Sequence, residues 1–241
     1  DMTKNTYKKL SIVIPCYNEK NSISEIINQV KNVDIPLEKE IILVDDFSTD
    51  GTREILKKLQ KNEQEIKIFF NEKNMGKGYS LRNGFTHSTG DIIIIQDADL
   101  EYDPNDLLKF ISMVDSFQAD FIIGSRFIGE KRSILHFWHM VGNKIITFIF
   151  NLLNNTVFTD IYCCYFLFSK KNLPINDLKS KGWGQQAEIL TYLSKNSKKI
   201  FETSVNYDGR NYLEGKKIHY YHIVEVIYWI FVTKLKILFS K

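Results

Sequence analysis

Asp97 and Asp99 stand two apart, one residue beyond the four isoleucines Ile92–Ile95. Two carboxylates at that spacing can share a hard divalent cation, Mg2+ or Mn2+, through oxygen ligands. Such a cation commonly brings a diphosphate with it, and Glu101 and Asp103 add negative charge close by. A lone pair of this kind also reads as an ordinary acidic loop. A second acidic cluster lies in VDDFSTDGT, Val44–Thr52. Ser48 or Asp50 can cap the helix that follows, and Gly51 permits the turn. Asp45 and Asp46 precede that cap and can accept hydrogen bonds from a nucleobase edge or ribose hydroxyls. Gly76-Lys77-Gly78 resembles a phosphate loop only on the surface. That loop needs glycine five residues earlier and Ser or Thr after the lysine; here those places hold Asn71 and Gly78. No GxGxxG dinucleotide fingerprint is present. Arg126, Arg132, Arg210 and Lys216 offer cations for phosphate oxygens. Each, taken singly, also reads as a solvated surface charge.

Residues so far apart need a scaffold that gathers them. Short apolar runs at Leu10–Ile14, Glu40–Val44, Ile66–Phe70, Asp91–Ile95 and Phe121–Ile123 predict strands. Between them, helical stripes fall at Ser22–Val30, Thr52–Leu59, Tyr79–His87 and Leu107–Val114. Strand and helix alternating at this spacing predict βαβ units and a parallel sheet. Ligands of such sheets bind at the carboxyl ends of the strands. Three of those ends carry Pro15-Cys-Tyr-Asn-Glu19, Asp45-Asp46 and Asp97-Ala-Asp99, which points to one shared site.

The second half breaks the pattern. Ile134–Phe158 is apolar but crossed by His136, His139 and Lys144. It reads as a buried helix or one lying in a membrane interface. Along the tail, His219, His222, Glu225 and Tyr228 recur at threes on one helical side. Ile223, Val226, Ile227, Trp229, Ile230 and Phe231 fill the others, and Lys234, Lys236 and Lys241 close it. Aromatics and terminal lysines on an amphipathic helix suit a lipid surface. A helix packed on the domain, with lysines at its C-terminus, fits equally.

Composition bounds these readings. A chain of 241 residues suits one domain, or one plus a small appendage. We place the main domain at 1–218 and an appended helix at 219–241. Net charge is only +3, yet residues 1–125 carry 15 basic and 21 acidic side chains, and 126–241 carry 17 and 8. That asymmetry suits a cation site in the first half and an anionic partner for the second. The basic residues form no stripe interleaved with aromatics, so no nucleic-acid partner is expected. Three cysteines with no metal spacing fit a reducing compartment. The start lacks an apolar signal region, and no charge-free run is long enough for a membrane span. A protein peripheral on the cytoplasmic face of a membrane is expected.

SIVIPCYNE, ILVDDFSTDGT, NMGKG, QDADLEYDP, GSRF and GRNYLEGKK, in that order, resemble the inverting family 2 glycosyltransferases of GT-A fold. The nearest branch is the polyprenol-phosphate hexose synthases of the dolichol-phosphate mannose and glucose type. The resemblance covers roughly residues 8–220. It implies an α/β GT-A fold and metal-dependent, inverting transfer of a hexose from a nucleotide diphosphate sugar, of UDP-glucose or GDP-mannose type, to a polyprenyl phosphate. Pro15, Tyr17, Glu19 and Asp46 would hold the nucleoside. Lys77, Asp97 and Lys216 would complete the donor site, and Asp97, Asp99 and Glu101 would meet the metal. Glu101 stands where many relatives carry Gln. Arg126 and Arg132 would meet the acceptor phosphate, and Arg210 with Lys216 would close over the diphosphate. Asp97, Asp99, Arg126 and Arg210 form the catalytic set, and Glu188 aligns with an acidic residue near the sugar. Relatives often have Gly-Phe after the mid-chain aspartate, where this chain reads Asp160-Ile-Tyr-Cys-Cys-Tyr. Two other readings stay open: transfer to a saccharide hydroxyl, with Glu188 or Asp99 as base, and a non-catalytic binding module.

Overall fold

The computed structural model describes residues 7–63, 65–129, 137–209 and 222–239. The first half runs β1 (Lys9–Cys16), α1 (Ile23–Asn32), β2 (Glu38–Asp45), α2 (Thr52–Asn62), β3 (Ile66–Phe70), α3 (Lys77–His87), β4 (Ile92–Ile95), α4 (Leu107–Phe117) and β5 (Phe121–Ser125). Every strand and helix expected there is present. The second half adds α5 (Phe137–Asn154), β6 (Phe166–Ser169), α6 (Gln185–Asn196), β7 (Ile200–Ser204) and α7 (His222–Phe239). Of these, β6, α6 and β7 were not anticipated from the patterning.

One sheet has the order β3-β2-β1-β4-β6-β5-β7. All its described pairings are parallel except those of β6, which runs antiparallel between β4 and β5. The chain steps outward from β1 to β3, then returns across β1 to β4. A reversal of this kind opens a crevice at the strands' carboxyl ends. That is where the three acidic and polar clusters emerge.

Side-chain alternation along β1 builds two layers. Leu10, Ile12 and Ile14 face a core shared with α1, α2 and α4. Val13 faces the other core, with α3, α5, α6 and α7. α5 and α7 each pack one face on the domain and leave an apolar face exposed. α7 buries Val226, Ile230, Thr233 and Ile237 against the domain. Its outer face exposes Val224, Tyr228, Phe231, Leu235, Leu238 and Phe239. α5 likewise buries Ile146 and Phe150 and exposes Phe137, Trp138, Ile145, Phe148 and Leu152. Among the described residues, no helix is long and apolar enough to cross a membrane.

At the opposite end of the sheet, buried Glu40 ties three segments together. Its carboxylate accepts from Ser11 Oγ, from Thr89 N and Oγ1, and from Gly90 N, and it pairs with Lys67 at 2.8 Å. Burial alone would raise its pKa, but the bonds from Lys67, Ser11 and Thr89 outweigh that and hold it at about 2. The folded value lies below the unfolded one, so the stabilisation is complete above the unfolded pKa and is lost as pH falls toward 2. The shift corresponds to about 3 kcal/mol. Urea titrations between pH 5 and pH 2 are expected to show Glu40→Gln losing less stability with acid than wild type. Parallel losses would contradict this role.

Candidate active site

The chain leaves β1 through Pro15 and turns at Tyr17, Asn18 and Glu19. Asn18 sits at φ 54°, a conformation that asparagine tolerates better than most residues. Its N–H donates to Ser48 Oγ at 2.9 Å, and its Oδ1 accepts from Thr49 N at 2.8 Å. Glu19 is buried, with its N–H on Thr52 Oγ1 and its carboxylate accepting from Ser22 Oγ. The β1 exit is thereby stitched to the loop after β2, and Tyr17 stands exposed at the crevice.

Asp45 and Asp46 close β2 and differ in role. Asp45 is fully buried and pairs with Arg53 Nε at 2.9 Å. The Arg53 guanidinium also lies over the rings of Phe47 and Phe70. Asp46 accepts from Met75 N, Gly76 N and Asn71 Nδ2, each at 2.8 Å. It therefore organises the turn into α3, at the edge of the place expected for the nucleoside.

That turn explains the Gly-Lys-Gly spacing. Gly76 has φ 90°, and a Cβ on it would lie 2.3 Å from the Lys181 carbonyl oxygen. A Cβ on Gly78 would lie 2.6 Å from the Ser180 carbonyl oxygen. Gly78 N donates to Lys181 O at 2.9 Å. The two glycines let the backbones close, and Lys77 between them reaches Asp97 at 2.6 Å. Burial pulls the Lys77 pKa down, but the charge of Asp97 outweighs it and holds the ammonium above its ordinary value. Lys77 is a fixed cation at the crevice.

Asp97 and Asp99 follow β4 in a loop where Leu100 takes φ 63°. Asp99 Oδ1 accepts from Glu101 N at 3.2 Å. Glu101 turns its own carboxylate to the Tyr207 hydroxyl, 3.0 Å away. Among the described residues, no three His, Cys, Asp or Glu side chains converge into a ready-made metal cluster. Asp97 and Asp99 nonetheless fit a hard cation. They offer two carboxylates on one loop, with Lys77 as counter-charge, and diphosphate oxygens can complete such a shell.

Across the crevice, Arg126 follows β5. Its Nε and Nη2 meet Oδ2 and Oδ1 of Asp160 at 2.7 and 2.9 Å, a two-pronged pair. Asp160 is fully buried and also accepts from Arg126 N, Tyr162 N and Asn143 Nδ2. Burial would raise its pKa, but the guanidinium beside it holds the carboxyl below the usual range. The Arg126 guanidinium lies 5.1 Å over the Tyr207 ring, so Tyr207 links it to Glu101. Cys164 is half-buried nearby and donates to Gln186 Oε1 at 3.1 Å. Burial pushes its thiol up to about 12. Glu188, aligned with the sugar pocket by resemblance, instead accepts from the amides of Lys179 and Ser180.

The structure gathers Pro15, Tyr17, Glu19, Asp46, Lys77, Asp97, Asp99, Glu101 and Arg126 at the carboxyl ends of the strands and their following loops. Arg132, Arg210 and Lys216 lie outside the described residues. The sequence reading missed the partners of these groups. A buried arginine requires a carboxylate, which could have pointed to Asp160. Tyr207 and Cys164 carry no spacing signal of their own.

A mostly parallel sheet that reverses order at β1, with antiparallel β6 between β4 and β5 and acidic loops at the carboxyl ends, agrees with the GT-A fold that the resemblance implies. Solved structures agree. The glucosyl-3-phosphoglycerate synthase of Mycobacterium tuberculosis, in complex with Mn2+, UDP and phosphoglyceric acid, matches with TM-score 0.66 and 16% identity. That match covers 95% of this chain and 78% of that one. TarS of S. aureus matches with TM-score 0.59 and 17% identity, over 96% of this chain and 72% of that one. The sequence model described as Glycosyl transferase family 2 matches residues 11–173, and the chain belongs to that family. It is 28% identical over 229 residues to the dolichol-phosphate mannosyltransferase of Pyrococcus furiosus, covering 92% of this chain and 64% of that protein. It is 36% identical over 111 residues to the undecaprenyl-phosphate 4-deoxy-4-formamido-L-arabinose transferase of Salmonella choleraesuis, covering 45% of this chain and 34% of that protein. The chain thus spans less than two thirds of the length of either relative.

Proposed function

We propose that this chain transfers a hexose from a nucleotide diphosphate sugar to a polyprenyl phosphate, inverting the anomeric carbon. One observation carries the lipid acceptor. The Arg126–Asp160 pair is braced by Asn143 of α5, the helix that exposes Phe137, Trp138, Ile145, Phe148 and Leu152. The cation proposed to meet the acceptor phosphate is thus anchored, through Asp160 and Asn143, on the inner side of a helix whose outer side is apolar, an arrangement that suits a phosphate on a long apolar tail. The names of the two relatives, both transferases acting with polyprenyl phosphates, support the same reading.

On this account Tyr17, Glu19 and the β2 exit receive the nucleoside. A divalent cation held by Asp97 and Asp99 would neutralise charge growing on the leaving diphosphate. Lys77 adds a fixed positive charge beside it. Arg126 orients the acceptor phosphate, which is already ionised near pH 7 and needs no general base. A sugar hydroxyl would need one, and Glu188 is engaged by the Lys179 and Ser180 amides. Glu101, on the Tyr207 hydroxyl, tunes the metal loop from one side. The outer faces of α5 and α7 rest on the cytoplasmic leaflet, with Lys144 and Lys234 near its headgroups. Arg132, Arg210 and Lys216 are proposed to complete the phosphate contacts.

Arg126→Lys tests the acceptor assignment. It keeps a charge beside Asp160 and removes the planar fork. The polyprenyl-phosphate KM is expected to rise about tenfold, with the donor KM little changed. Equal rises in both would contradict the assignment.

A further inference from the structure

Glu225 fell on the polar side of the tail helix in the sequence pattern, yet it turns inward. Its Oε1 accepts from Gly184 N at 3.1 Å. A Cβ on Gly182 would lie 2.6 Å from the same oxygen. One helical turn on, Trp229 lies so close over Gly184 that a Cβ there would meet its ring at 2.1 Å. Trp183 lies against His222 at 5.3 Å between ring centres. The short segment Lys181–Gly184 is thus pressed under the first two turns of α7. Its other side is the surface on which the glycine turn closes, because Lys181 O receives Gly78 N. Glu188 holds the residues just before that segment through the Lys179 and Ser180 amides. The contacts run without a gap from α7, through Gly184 and Lys181, to Gly78, Lys77 and Asp97.

We infer that Glu225 is a positioning residue for the donor diphosphate: it holds Lys181–Gly184 against Gly76–Gly78 and so keeps Lys77 on Asp97. The helix whose outer face is proposed to meet lipid thereby also sets the donor loop. α7 follows directly on the 210–221 segment, which carries Arg210 and Lys216. The inference rests on the proposed reaction for the identity of the donor alone.

The test compares Glu225→Ala, Glu225→Gln and wild type in two measurements on the full chain. The first is amide hydrogen exchange at Gly184 and Gly78. Alanine is expected to speed exchange at both sites, although only Gly184 touches residue 225. Glutamine, which keeps an acceptor oxygen, is expected to restore both. The second measurement is steady-state transfer with UDP-glucose and GDP-mannose. Alanine is expected to raise the donor KM about tenfold with kcat within about threefold of wild type, and glutamine to restore it. Faster exchange at Gly184 alone, with the donor KM unchanged, would overturn the inference and leave Glu225 as a local cap. Should wild type transfer no sugar, the proposed function fails, while exchange at Gly78 still decides whether the clamp exists. Should the alanine variant unfold, Glu225→Met, which keeps the side chain's length and removes its acceptor, gives the same readouts against glutamine. Trp229→Phe keeps a ring over Gly184 and is expected to leave Gly78 protected.

Discussion

Asp99→Ala is expected to lower sugar transfer roughly a thousandfold, the scale seen when a preorganised stabiliser of transition-state charge is removed. The fold should survive the change. Asp99 lies beyond β4 in a half-buried loop, outside both cores. The same substitution at Asp97 is less clean, because it leaves Lys77 without the carboxylate that meets it at 2.6 Å. The variant should unfold in urea at the wild-type midpoint and gain little from added Mn2+ or Mg2+. Transfer at wild-type rates would remove Asp99 from the chemistry.

Asp160→Ala should produce the largest loss of stability, about 3–5 kcal/mol. It strands the Arg126 guanidinium, whose side chain is only 13% exposed. It also leaves Asn143 Nδ2 and Tyr162 N without their acceptor. At an m-value of about 3 kcal/mol per M, the urea midpoint drops by about 1 M or more. Most of that loss comes from the abandoned charge, so the pair Asp160→Leu with Arg126→Met should recover much of it. That double variant should regain stability without regaining use of polyprenyl phosphate. A midpoint unchanged in Asp160→Ala would mean that Arg126 finds water or another partner.

The first half was readable because its signals are local. LSIVI, EIILV and DIIII are each short apolar runs, closed by Pro15, Asp45 and Gln96. The helices between them show clear stripes, such as Ile23, Ile26, Ile27 and Val30. Carboxylates at three strand ends then predicted one shared site, and the structure joins the loops that carry them at the carboxyl ends of the strands. The second half was opaque for physical reasons. All four residues of β6 are buried, so no alternation marks it, and its neighbours β4 and β5 are remote in sequence. α6 buries every residue from Gln185 to Leu193, so it has no polar face to reveal its period. Within the site, residue type was legible and partnership was not. Asp46 could be placed at a strand end, but nothing local says that the Met75 and Gly76 amides arrive to meet it. Glu225 belonged to a polar stripe until Gly182 and Gly184 opened room for it on the inner side. Both cases turn on backbone amides supplied from distant segments.

On the proposed reading, an acid-metal donor site and a cationic acceptor site work together at the edge of a bilayer. The most direct measurement incubates the protein with Mn2+, a short polyprenyl phosphate, and UDP-glucose or GDP-mannose labelled in the sugar, then counts label in the organic phase. Organic-phase label from one donor, dependent on the metal and lost with EDTA, is the expected result. Donor hydrolysis with no organic label, or label passing only to a water-soluble acceptor, would contradict it.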